Sequence, residues 1–567
     1  MSLSYNERVA GEVKLKDIVD IAKGAGVSSK DLKLFGKYIA KVDANLLDDK
    51  LKKRKDGQLI LVTSITPTRM GEGKTVTTIG LSMALNKLGK KSISCISQPS
   101  LGPTFSVKGV GTGGGYAQVL PAEDINLDIA GDTYAVQNAQ NLCAAALDNS
   151  FFWGNSYKLQ KERITWRRVS DVNDRALRNM TIGGGGKLHG VSRKTGIDIT
   201  AASECMAILA LSRNLKDMRA RLGKIVVGYS EDGKPVTAEN LKCAGAMAVL
   251  LKQALNPNIV QTIEHTPCFI HGNPFANVSL GSSSVIADRM AIKLADYAVT
   301  EAGFGADLGA EKFFDIKCRQ SGLKPDVVVI NCSVRGLKMH SGDFTKKGSS
   351  LWEQLKKEDL SAVDRGCSNL EKQIENLKIF GVPIVVAINY FETDTKKELK
   401  VIIKRAEALE ADGIAVSEAY KMGSSGTMEL ARAVVAASKI KPKFRYLYPV
   451  DMNLKNKIER ISKSMYGASE IRYSPDALKD IELIEKAKLD QKPVCMAKTS
   501  LSLSSNPKKK GRPRGFALTV ESVEPAAGAG YVLVKADGVD SMPGLSKTPR
   551  LNKIDIDLVT GKTKGLF

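Results

Sequence analysis

The chain has 567 residues, of which 43% are hydrophobic and 26% are charged, as is usual for a globular protein. The 84 lysines and arginines exceed the 61 aspartates and glutamates, which gives a formal net charge of +23. Because aromatic residues make up only 6% and do not alternate with the basic runs, the charge favours a lysine-rich surface over a specific nucleic-acid site. A second interpretation is that part of this charge attracts a polyanionic ligand. No run reaches the roughly 18 consecutive apolar residues of a membrane-spanning helix, so no membrane partner is expected.

The nine cysteines are scattered and form no Cys-x-x-Cys pair. Several stand in apolar surroundings, as at 94–96 and 494–496, which is typical of reduced core residues. We therefore expect a reducing compartment. The first residues contain no apolar stretch of the kind found in a secretory signal, and no spacing of histidines or cysteines resembles a zinc site.

The predicted elements begin with a charged, helix-prone segment over residues 1–57. Residues 59–65 are apolar, rich in β-branched side chains and bounded by turn formers, which predicts a buried strand. A helix is predicted from about residue 74 to residue 88, and a second apolar strand at 92–96. This strand–loop–helix–strand order is the unit of a parallel α/β sheet.

The loop between the first strand and this helix carries the strongest chemical signal. It reads Thr68-Arg69-Met70-Gly71-Glu72-Gly73-Lys74-Thr75, which is the phosphate-loop pattern with Thr68 in place of the first glycine. Gly71 and Gly73 allow the backbone amides to face an anion, and the start of the helix adds its positive end. Lys74 can reach terminal phosphates and Thr75 can ligate Mg²⁺. We predict that this segment binds nucleotide phosphates; the alternative is an ordinary glycine turn with a surface lysine.

A second glycine-rich segment, at 99–103 and 108–116, follows the strand at 92–96. It therefore lies at the carboxyl edge of the predicted sheet, where ligands bind in α/β proteins. Dense glycines allow the backbone to approach a ligand closely, but a flexible loop explains them equally well.

The later part of the chain repeats the strand pattern and then changes character. Further buried strands are predicted at residues 225–228, 297–300, 326–330 and 383–388. A polar, lysine-rich stretch at 342–372 and a segment with two prolines at 440–450 indicate boundaries.

These elements predict an α/β fold whose core is a parallel sheet of the phosphate-loop type flanked by helices, with additional smaller α/β domains. The predicted domains are a nucleotide-binding core over 1–345, a second α/β domain over 346–450 and a C-terminal α+β domain over 451–567.

Twelve short motifs resemble formate–tetrahydrofolate ligase in their identity and order. They lie at residues 66–75, 99–103, 113–118, 123–127, 164–168, 173–178, 300–312, 314–319, 337–340, 380–383, 495–499 and 542–545. The resemblance covers about residues 50 to 567. Segments 285–289 and 501–507 are closer to the synthetase domain of the eukaryotic trifunctional enzyme.

The resemblance implies a reaction and a set of site residues. ATP would convert formate to formyl phosphate, and the N10 amine of tetrahydrofolate would then attack the formyl carbon to give 10-formyltetrahydrofolate. The implied ligands are MgATP, tetrahydrofolate and a monovalent cation, and the implied protein is cytoplasmic and homo-oligomeric. The implied catalytic residues are Lys74, Ser97 and His271, and the implied folate contacts are Gln98, Phe304, Phe391 and Tyr420. Phe391 would form one wall of the pterin slot, and Tyr420, where the family has tryptophan, the other.

Other polar residues in these motifs allow two interpretations. A functional and a structural role are weighed equally for His271 and for His340. Glu301 and Asp307 could hold substrate amines or Mg²⁺, or could serve as caps and structural partners. For Trp166, Arg167 and Arg168 a structural role is favoured.

Several positions depart from the family pattern. Ser97 stands where the family has arginine, and Asp128 and Tyr134 stand where it has histidines. Further changes fall at Ser341, Asp343, 422–426 and Ser546. Loss of a charged contact in the transition state commonly costs roughly 10²–10³ in rate. The changes therefore raise an alternative, a non-catalytic homologue that binds nucleotide or folate, while the kept phosphate loop favours an active ligase. A weaker third interpretation is an ATPase that acts on another carboxylate.

Overall fold

A computed structural model describes residues 4–69, 71–106, 111–344, 349–561 and 563–566. Met70 of the predicted phosphate loop and residues 108–110 of the second glycine-rich segment lie outside these residues. The architecture is mixed α/β, as predicted, with one large sheet flanked by helices and several small sheets. Within the described residues, no helix is both long and apolar enough to cross a lipid bilayer.

The large sheet has twelve strands in the described part of the chain. In chain order they are β1 (Leu32–Phe35), β2 (Ile39–Val42), β3 (Gln58–Ser64), β4 (Ser92–Ile96), β5 (Gly113–Gly114), β6 (Ala117–Leu120), β7 (Asn258–Thr262), β8 (Pro267–Ile270), β9 (Tyr297–Glu301), β10 (Val327–Cys332), β11 (Ile384–Asn389) and β12 (Gly413–Ser417). Their spatial order is β1-β2-β7-β8-β4-β9-β3-β10-β11-β12, and β6 joins β5 to β7. From β8 to β12 in this order the neighbours are parallel, whereas the remaining pairs are antiparallel.

The described residues form nineteen α-helices. They are α1 (Tyr5–Gly11), α2 (Ile18–Gly24), α3 (Lys74–Lys87), α4 (Leu101–Phe105), α5 (Ala122–Asn126), α6 (Asp132–Phe152), α7 (Glu204–Leu211), α8 (Leu215–Gly223), α9 (Ala244–Leu251), α10 (Val285–Leu294), α11 (Arg319–Ser321), α12 (Val334–His340), α13 (Ser349–Lys356), α14 (Leu360–Lys378), α15 (Lys396–Ala408), α16 (Ala419–Met422), α17 (Met428–Ala437), α18 (Leu454–Ile461) and α19 (Pro475–Lys486).

The centre of the large sheet is buried on both faces. In β3, Leu59 and Leu61 belong to one hydrophobic cluster, whereas Ile60 and Val62 belong to a second cluster that includes Leu81 of α3. A strand covered on both faces needs apolar side chains at successive positions, which is why residues 59–62 are all apolar.

Most predicted strands of the core are confirmed, and they correspond to β3, β4, β9, β10 and β11. The predicted strand at 225–228 exists as Val226–Ser230, but it lies in a separate antiparallel sheet with Leu159–Ile164 and Pro235–Thr237. The segment at 342–372 contains α13 and part of α14, and the helix-prone start of the chain also contains the β1–β2 hairpin.

The C-terminal residues combine α18 and α19 with a four-stranded sheet. In spatial order its strands are Glu470–Tyr473, Ala517–Ala526, Tyr531–Ala536 and Val494–Ala497. Three two-stranded pairs complete the description: Arg168–Ser170 with Ile197–Ile199, Met180–Ile182 with Arg193–Thr195, and Asp555–Ile556 with Thr563–Lys564. The domain boundaries stay predictions.

Candidate functional site

The candidate site lies where the parallel strands of the large sheet end. The loop of residues 65–73 follows β3 and leads into α3. The other predicted site residues also come directly after strands: Ser97 and Gln98 after β4, His271 after β8, Phe304 after β9, Phe391 after β11 and Tyr420 after β12. Because the carboxyl ends of parallel strands share one edge, the topology brings these segments to the same side of the sheet.

Two glycines give the predicted phosphate loop its shape. Gly71 and Gly73 adopt the left-handed region, with φ of 75° and 74°, and Gly73 precedes the first residue of α3. A Cβ at Gly73 would lie 2.5 Å from Asn389 Nδ2. Glycine is therefore required at Gly73 for both its backbone angle and its contact with the end of β11.

The Glu72 side chain faces the interior of the protein and holds the loop together. Its Oε1 accepts hydrogen bonds from the Thr68 amide (3.1 Å) and the Thr68 hydroxyl (2.9 Å), and its Oε2 accepts one from Ser333 Oγ (2.9 Å). Burial raises the pKa of Glu72, against the opposing effect of these hydrogen bonds and of Lys74. The geometry makes the Glu72 side chain a support of the loop rather than a group that faces a ligand.

Asparagines at the ends of two strands fix the Glu72 backbone. The Nδ2 groups of Asn331 in β10 and Asn389 in β11 both donate to the Glu72 carbonyl. The Asn331 Oδ1 in turn accepts from Thr77 Oγ1 of α3 (3.1 Å). No motif in the sequence marks these two asparagines; the available signal was a polar residue at the carboxyl end of an apolar strand.

Lys74 and Thr75 begin α3 beside Glu301, the last residue of β9. Thr75 Oγ1 donates to Glu301 Oε2 at 2.9 Å. Burial lowers the pKa of Lys74, whereas the carboxylates of Glu301 and Glu72 act in the opposite direction. A hydroxyl and a carboxylate side by side suit Mg²⁺, which takes few protein oxygens and completes its shell with phosphate and water. Among the residues with described side chains, no group of three or more His, Cys, Asp or Glu is placed to hold a metal ion.

Ser97 and Gln98 differ in their surroundings. Ser97 is half-buried, whereas Gln98 is buried and donates through Nε2 to Asp128 Oδ1 (3.0 Å) and Thr133 Oγ1 (3.1 Å). Asp128 also accepts from the Thr133 and Tyr134 amides at the start of α6. Asp128, one of the departures from the family pattern, therefore caps a helix and orients Gln98.

His271 is fully buried and both of its ring nitrogens have partners. Nε2 lies 2.6 Å from the Ala254 carbonyl and Nδ1 lies 2.6 Å from Ser284 Oγ. Because a carbonyl only accepts, Nε2 carries the proton and Nδ1 accepts from the serine hydroxyl. Burial lowers the pKa of His271 to about 3. These contacts favour the structural interpretation, and a catalytic role of His271 stays a prediction.

His340 is also buried and neutral, and it connects the start of the loop to residues 451–567, which are called the C-terminal unit below. Its Nε2 donates to the Thr66 carbonyl (2.7 Å), and its Nδ1 accepts from the Gly511 amide (3.2 Å). Burial lowers the pKa of His340 to about 4. Asp307, the second ambiguous acid, pairs with Lys498 (3.2 Å) and accepts from Gln373 (2.7 Å), which favours its structural interpretation.

The Phe391 ring is in contact with the side chain of an arginine. The guanidinium carbon of Arg335, in α12, lies 3.4 Å from the Phe391 ring centroid and 5.4 Å from that of Trp352. Burial lowers the pKa of Arg335, opposed by the carboxylate of Asp394. The Phe391 amide donates to Asp394 Oδ2 at 2.9 Å, which fixes the backbone beneath the ring. One face of the ring is therefore occupied by a flat cation in this structure.

Tyr420 packs on the second glycine-rich segment. Its carbonyl accepts from the Tyr116 amide (2.8 Å), its hydroxyl donates to Asn6 (3.1 Å), and its ring lies 5.8 Å from that of Tyr5. A Cβ at Gly115 would overlap the Tyr420 carbonyl. Phe391 and Tyr420 are the two predicted walls of the pterin slot. The segments that carry them are joined by an ion pair between the next residues, Glu392 and Lys421, at 2.5 Å.

The remaining predicted site residues, Phe304, Arg69 and Thr68, lie within the loop or against the end of the strand that precedes it. Phe304 has a positive φ of 60°, and its carbonyl accepts from Ser64 Oγ at the end of β3 (2.9 Å). Arg69 is exposed, and Thr68 is turned toward Glu72. The structure thus brings the loop, Glu301 and the strand-end asparagines into direct contact, whereas it places Gln98 and His271 in separate hydrogen-bond networks.

A large, parallel-rich sheet flanked by helices, with its candidate site along the carboxyl ends of the parallel strands, defines a protein of the α/β class. The sequence model of the family described as formate–tetrahydrofolate ligase matches residues 5–567. The chain therefore belongs to the formate–tetrahydrofolate ligase family, as the resemblance implied. Members of this family are ligases of one-carbon metabolism that use ATP and tetrahydrofolate as substrates.

Proposed function

We propose that this chain makes 10-formyltetrahydrofolate from formate and tetrahydrofolate through a formyl phosphate intermediate, with ATP bound at residues 68–75. The observation that carries the proposal is the phosphate loop itself. Its two left-handed glycines, the start of α3 and the adjacent Thr75–Glu301 pair form one continuous support at the carboxyl edge of the sheet. Such a support suits phosphates because amides, a helix N-terminus and a lysine converge there.

The proposed reaction has two steps that balance. A formate oxygen attacks the γ-phosphorus of ATP, the bond to the bridging oxygen breaks, and ADP leaves. The N10 amine then attacks the formyl carbon, loses its proton, and expels phosphate that carries one oxygen of the original formate.

The side chains would act mainly by positioning and by stabilising charge. Lys74 would approach the transferring phosphoryl group, and its desolvated surroundings strengthen that attraction. Thr75 and Glu301 would hold Mg²⁺, which screens the negative charge of the phosphates when bound.

The folate would lie beyond the loop, near the end of β11. Asn389 touches the loop at Glu72, and Phe391 follows two residues later. We propose that the pterin stacks on Phe391, with Tyr420, Phe304 and Gln98 as further folate contacts. Since Arg335 covers one face of Phe391, the pterin takes the other face or displaces the guanidinium.

We further infer, from the family resemblance, that the protein is a cytoplasmic homo-oligomer and that a monovalent cation assists it. The classification of residues 68–75 as a phosphate loop belongs to the same proposal. It is supported by the strand before the segment and the helix after it.

The test is direct measurement of 10-formyltetrahydrofolate after purified protein is given MgATP, formate and tetrahydrofolate. We expect product, and we expect Lys74→Ala to reduce the rate by about 10²–10³ because a transition-state charge contact is lost. Equal product from wild type and Lys74→Ala would contradict the proposal.

A second candidate is a non-catalytic homologue that binds nucleotide or folate, and Ser97 is the observation that favours it. Serine lacks the charge with which arginine binds phosphate and carboxylate in two-point contacts. Ligand binding without product would select this candidate. ATP turnover with another carboxylate, but not with formate, would select the weaker alternative of a different ATPase.

A further inference from the structure

Gly511 attaches a basic stretch of the C-terminal unit to the start of the phosphate loop. Its amide donates to His340 Nδ1 (3.2 Å), and its carbonyl accepts from Asn369 Nδ2 (2.8 Å). The same two side chains hold Thr66, through its carbonyl (2.7 Å) and its amide (3.0 Å). Because Gly511 and Thr66 share both partners, the preceding residue, Lys510, is set beside the loop.

The Lys510 side chain is half-buried and its direction is fixed. Its Nζ donates to the Leu501 carbonyl at 2.8 Å. Burial lowers the pKa of Lys510, and the positive charge of Arg69 in the phosphate loop lowers it further. The positive charge of Lys510 also lowers the pKa of His340. This effect is smaller than those of burial and of the hydrogen bond to Thr66. Lys510 and Arg69, which come from distant parts of the sequence, therefore lie within electrostatic range of each other at the loop.

Lys510 and Arg69 differ from the neighbouring Arg512 in their ion pairing. Among the described residues, neither Lys510 nor Arg69 forms an ion pair with a carboxylate, whereas Arg512 pairs with Glu375 at 2.6 Å. Like charges brought together without a counter-ion repel each other, and a bound anion relieves that repulsion.

We propose that Lys510 and Arg69 bind the terminal phosphates of the nucleotide and supply the positive charge that Ser97 does not. This inference rests on the proposed function, because it assumes that the loop takes a nucleotide. It adds a residue of the C-terminal unit to the phosphate site, so that the site is complete only when that unit is docked.

The experiment is titration of the full-length protein with ADP and Mg²⁺ by isothermal calorimetry. We expect Lys510→Gln to raise the Kd about tenfold, because a charge-assisted hydrogen bond to phosphate is lost. Lys510→Arg, which keeps the charge, should stay within about threefold of wild type. Lys508→Gln is the matched control, since this exposed lysine lies two residues away, and it should stay within about twofold.

Arg69→Gln is a second variant, which tests the inference without disturbing the folded core. Arg69 is exposed, so its replacement leaves the core intact, and it should weaken ADP binding several-fold. Affinity for ADP within about twofold of wild type in both Lys510→Gln and Arg69→Gln would overturn the inference. So would weaker tetrahydrofolate binding with unchanged ADP binding, which would assign the cations to the folate carboxylates. Failure of the wild type to bind ADP would instead reject the proposed function.

Discussion

At the scale of single residues, the proposed phosphate loop depends on the buried carboxylate of Glu72 and on a glycine that packs against it. Gly336, inside α12, lies so close to Glu72 that an added Cβ would overlap Oε2. Alanine normally stabilises a helix interior by about 1 kcal/mol relative to glycine. Here we expect Gly336→Ala to displace Glu72, distort the loop and weaken ADP binding by about tenfold, as measured by calorimetry.

Gly245→Ala is the matched control for this substitution. Gly245 is also helical, in α9, and an added Cβ there would meet only Arg219 Nε at 3.9 Å. It should raise stability by up to about 1 kcal/mol and leave ADP binding unchanged. Unchanged ADP affinity in Gly336→Ala would show that the Glu72 side chain does not control the loop.

The buried histidines make stability depend on pH. Burial lowers the pKa of His340 to about 4, whereas an unfolded histidine titrates near 6.5. Between these values the unfolded chain binds the extra proton, so the contribution of His340 is complete above about pH 6.5 and is lost as pH falls toward 4. We expect the stability difference between wild type and His340→Gln to shrink by about 1.4 kcal/mol per pH unit in this window.

The difference between the two proteins is the quantity to measure, by urea denaturation at pH 7, 6 and 5. The buried carboxyl group of Glu204 acts in the opposite direction, since burial raises its pKa to about 7, but its contribution is the same in both proteins and cancels from the difference. His189→Gln, at an exposed site, should leave the pH profile unchanged. A constant difference between wild type and His340→Gln would refute the neutral, buried state of His340.

The local part of the site could be predicted from the sequence, and the part that depends on strand order could not. The segment from Thr68 to Thr75 is contiguous, so its pattern is visible in the printed chain. Asn331 and Asn389 contact Glu72 only because β10 lies next to β3 in the sheet and β11 lies next to β10. Nothing in the sequence specifies that order, nor that Glu72 turns inward.

At the scale of elements, the loop after β11 carries the proposed folate wall. Base-on-ring stacking is worth about 1–3 kcal/mol in other proteins, so we expect Phe391→Ala to weaken tetrahydrofolate binding by roughly tenfold or more. ADP binding should change by less than about twofold. The measurement is titration with each ligand, and Phe391→Tyr should keep most of the affinity because the ring is retained.

Phe152→Ala is the control for this prediction, since Phe152 is exposed at the end of α6 and lies 5.1 Å from Trp153. Tetrahydrofolate affinity that survives Phe391→Ala would remove Phe391 from the folate site.

The strands also show which parts of the fold can be predicted from sequence patterns. Apolar runs identified β3, β4, β9, β10 and β11, because strands covered on both faces leave a continuous signal. The β1–β2 hairpin was not predicted, because β1 lies within a charged segment and its two middle residues, a lysine and a leucine, are both exposed. The strand Val226–Ser230 was identified but its sheet was not, because pairing depends on distant contacts.

At the scale of the whole molecule, a buried ion pair joins the C-terminal unit to the core. Lys498 and Asp307 are almost fully excluded from solvent, and Lys498 also donates to the Ser502 carbonyl at 2.5 Å. Removing one partner of such a pair commonly costs about 3–5 kcal/mol, because the other charge stays buried alone. We expect Lys498→Met to lower the melting temperature by several degrees and to weaken ADP binding, since Asp307 and Thr66 share Gln373.

Thermal unfolding and ADP titration measure the two effects. Lys479→Met is the control, because Lys479 and its partner Asp476 are 73% and 83% exposed and such pairs contribute little. A melting temperature equal to that of wild type in Lys498→Met would show that the pair does not hold the units together.

The central claim is that ATP activates formate at the loop ahead of Lys74, and transfer of an isotope tests it most directly. The protein would be given ¹⁸O-labelled formate, MgATP and tetrahydrofolate, and the phosphate released would be analysed by mass spectrometry. The account predicts one ¹⁸O atom in each phosphate, in step with 10-formyltetrahydrofolate, and neither product from Lys74→Ala above background. Phosphate without the label, or labelled phosphate at the same rate from Lys74→Ala, would contradict it.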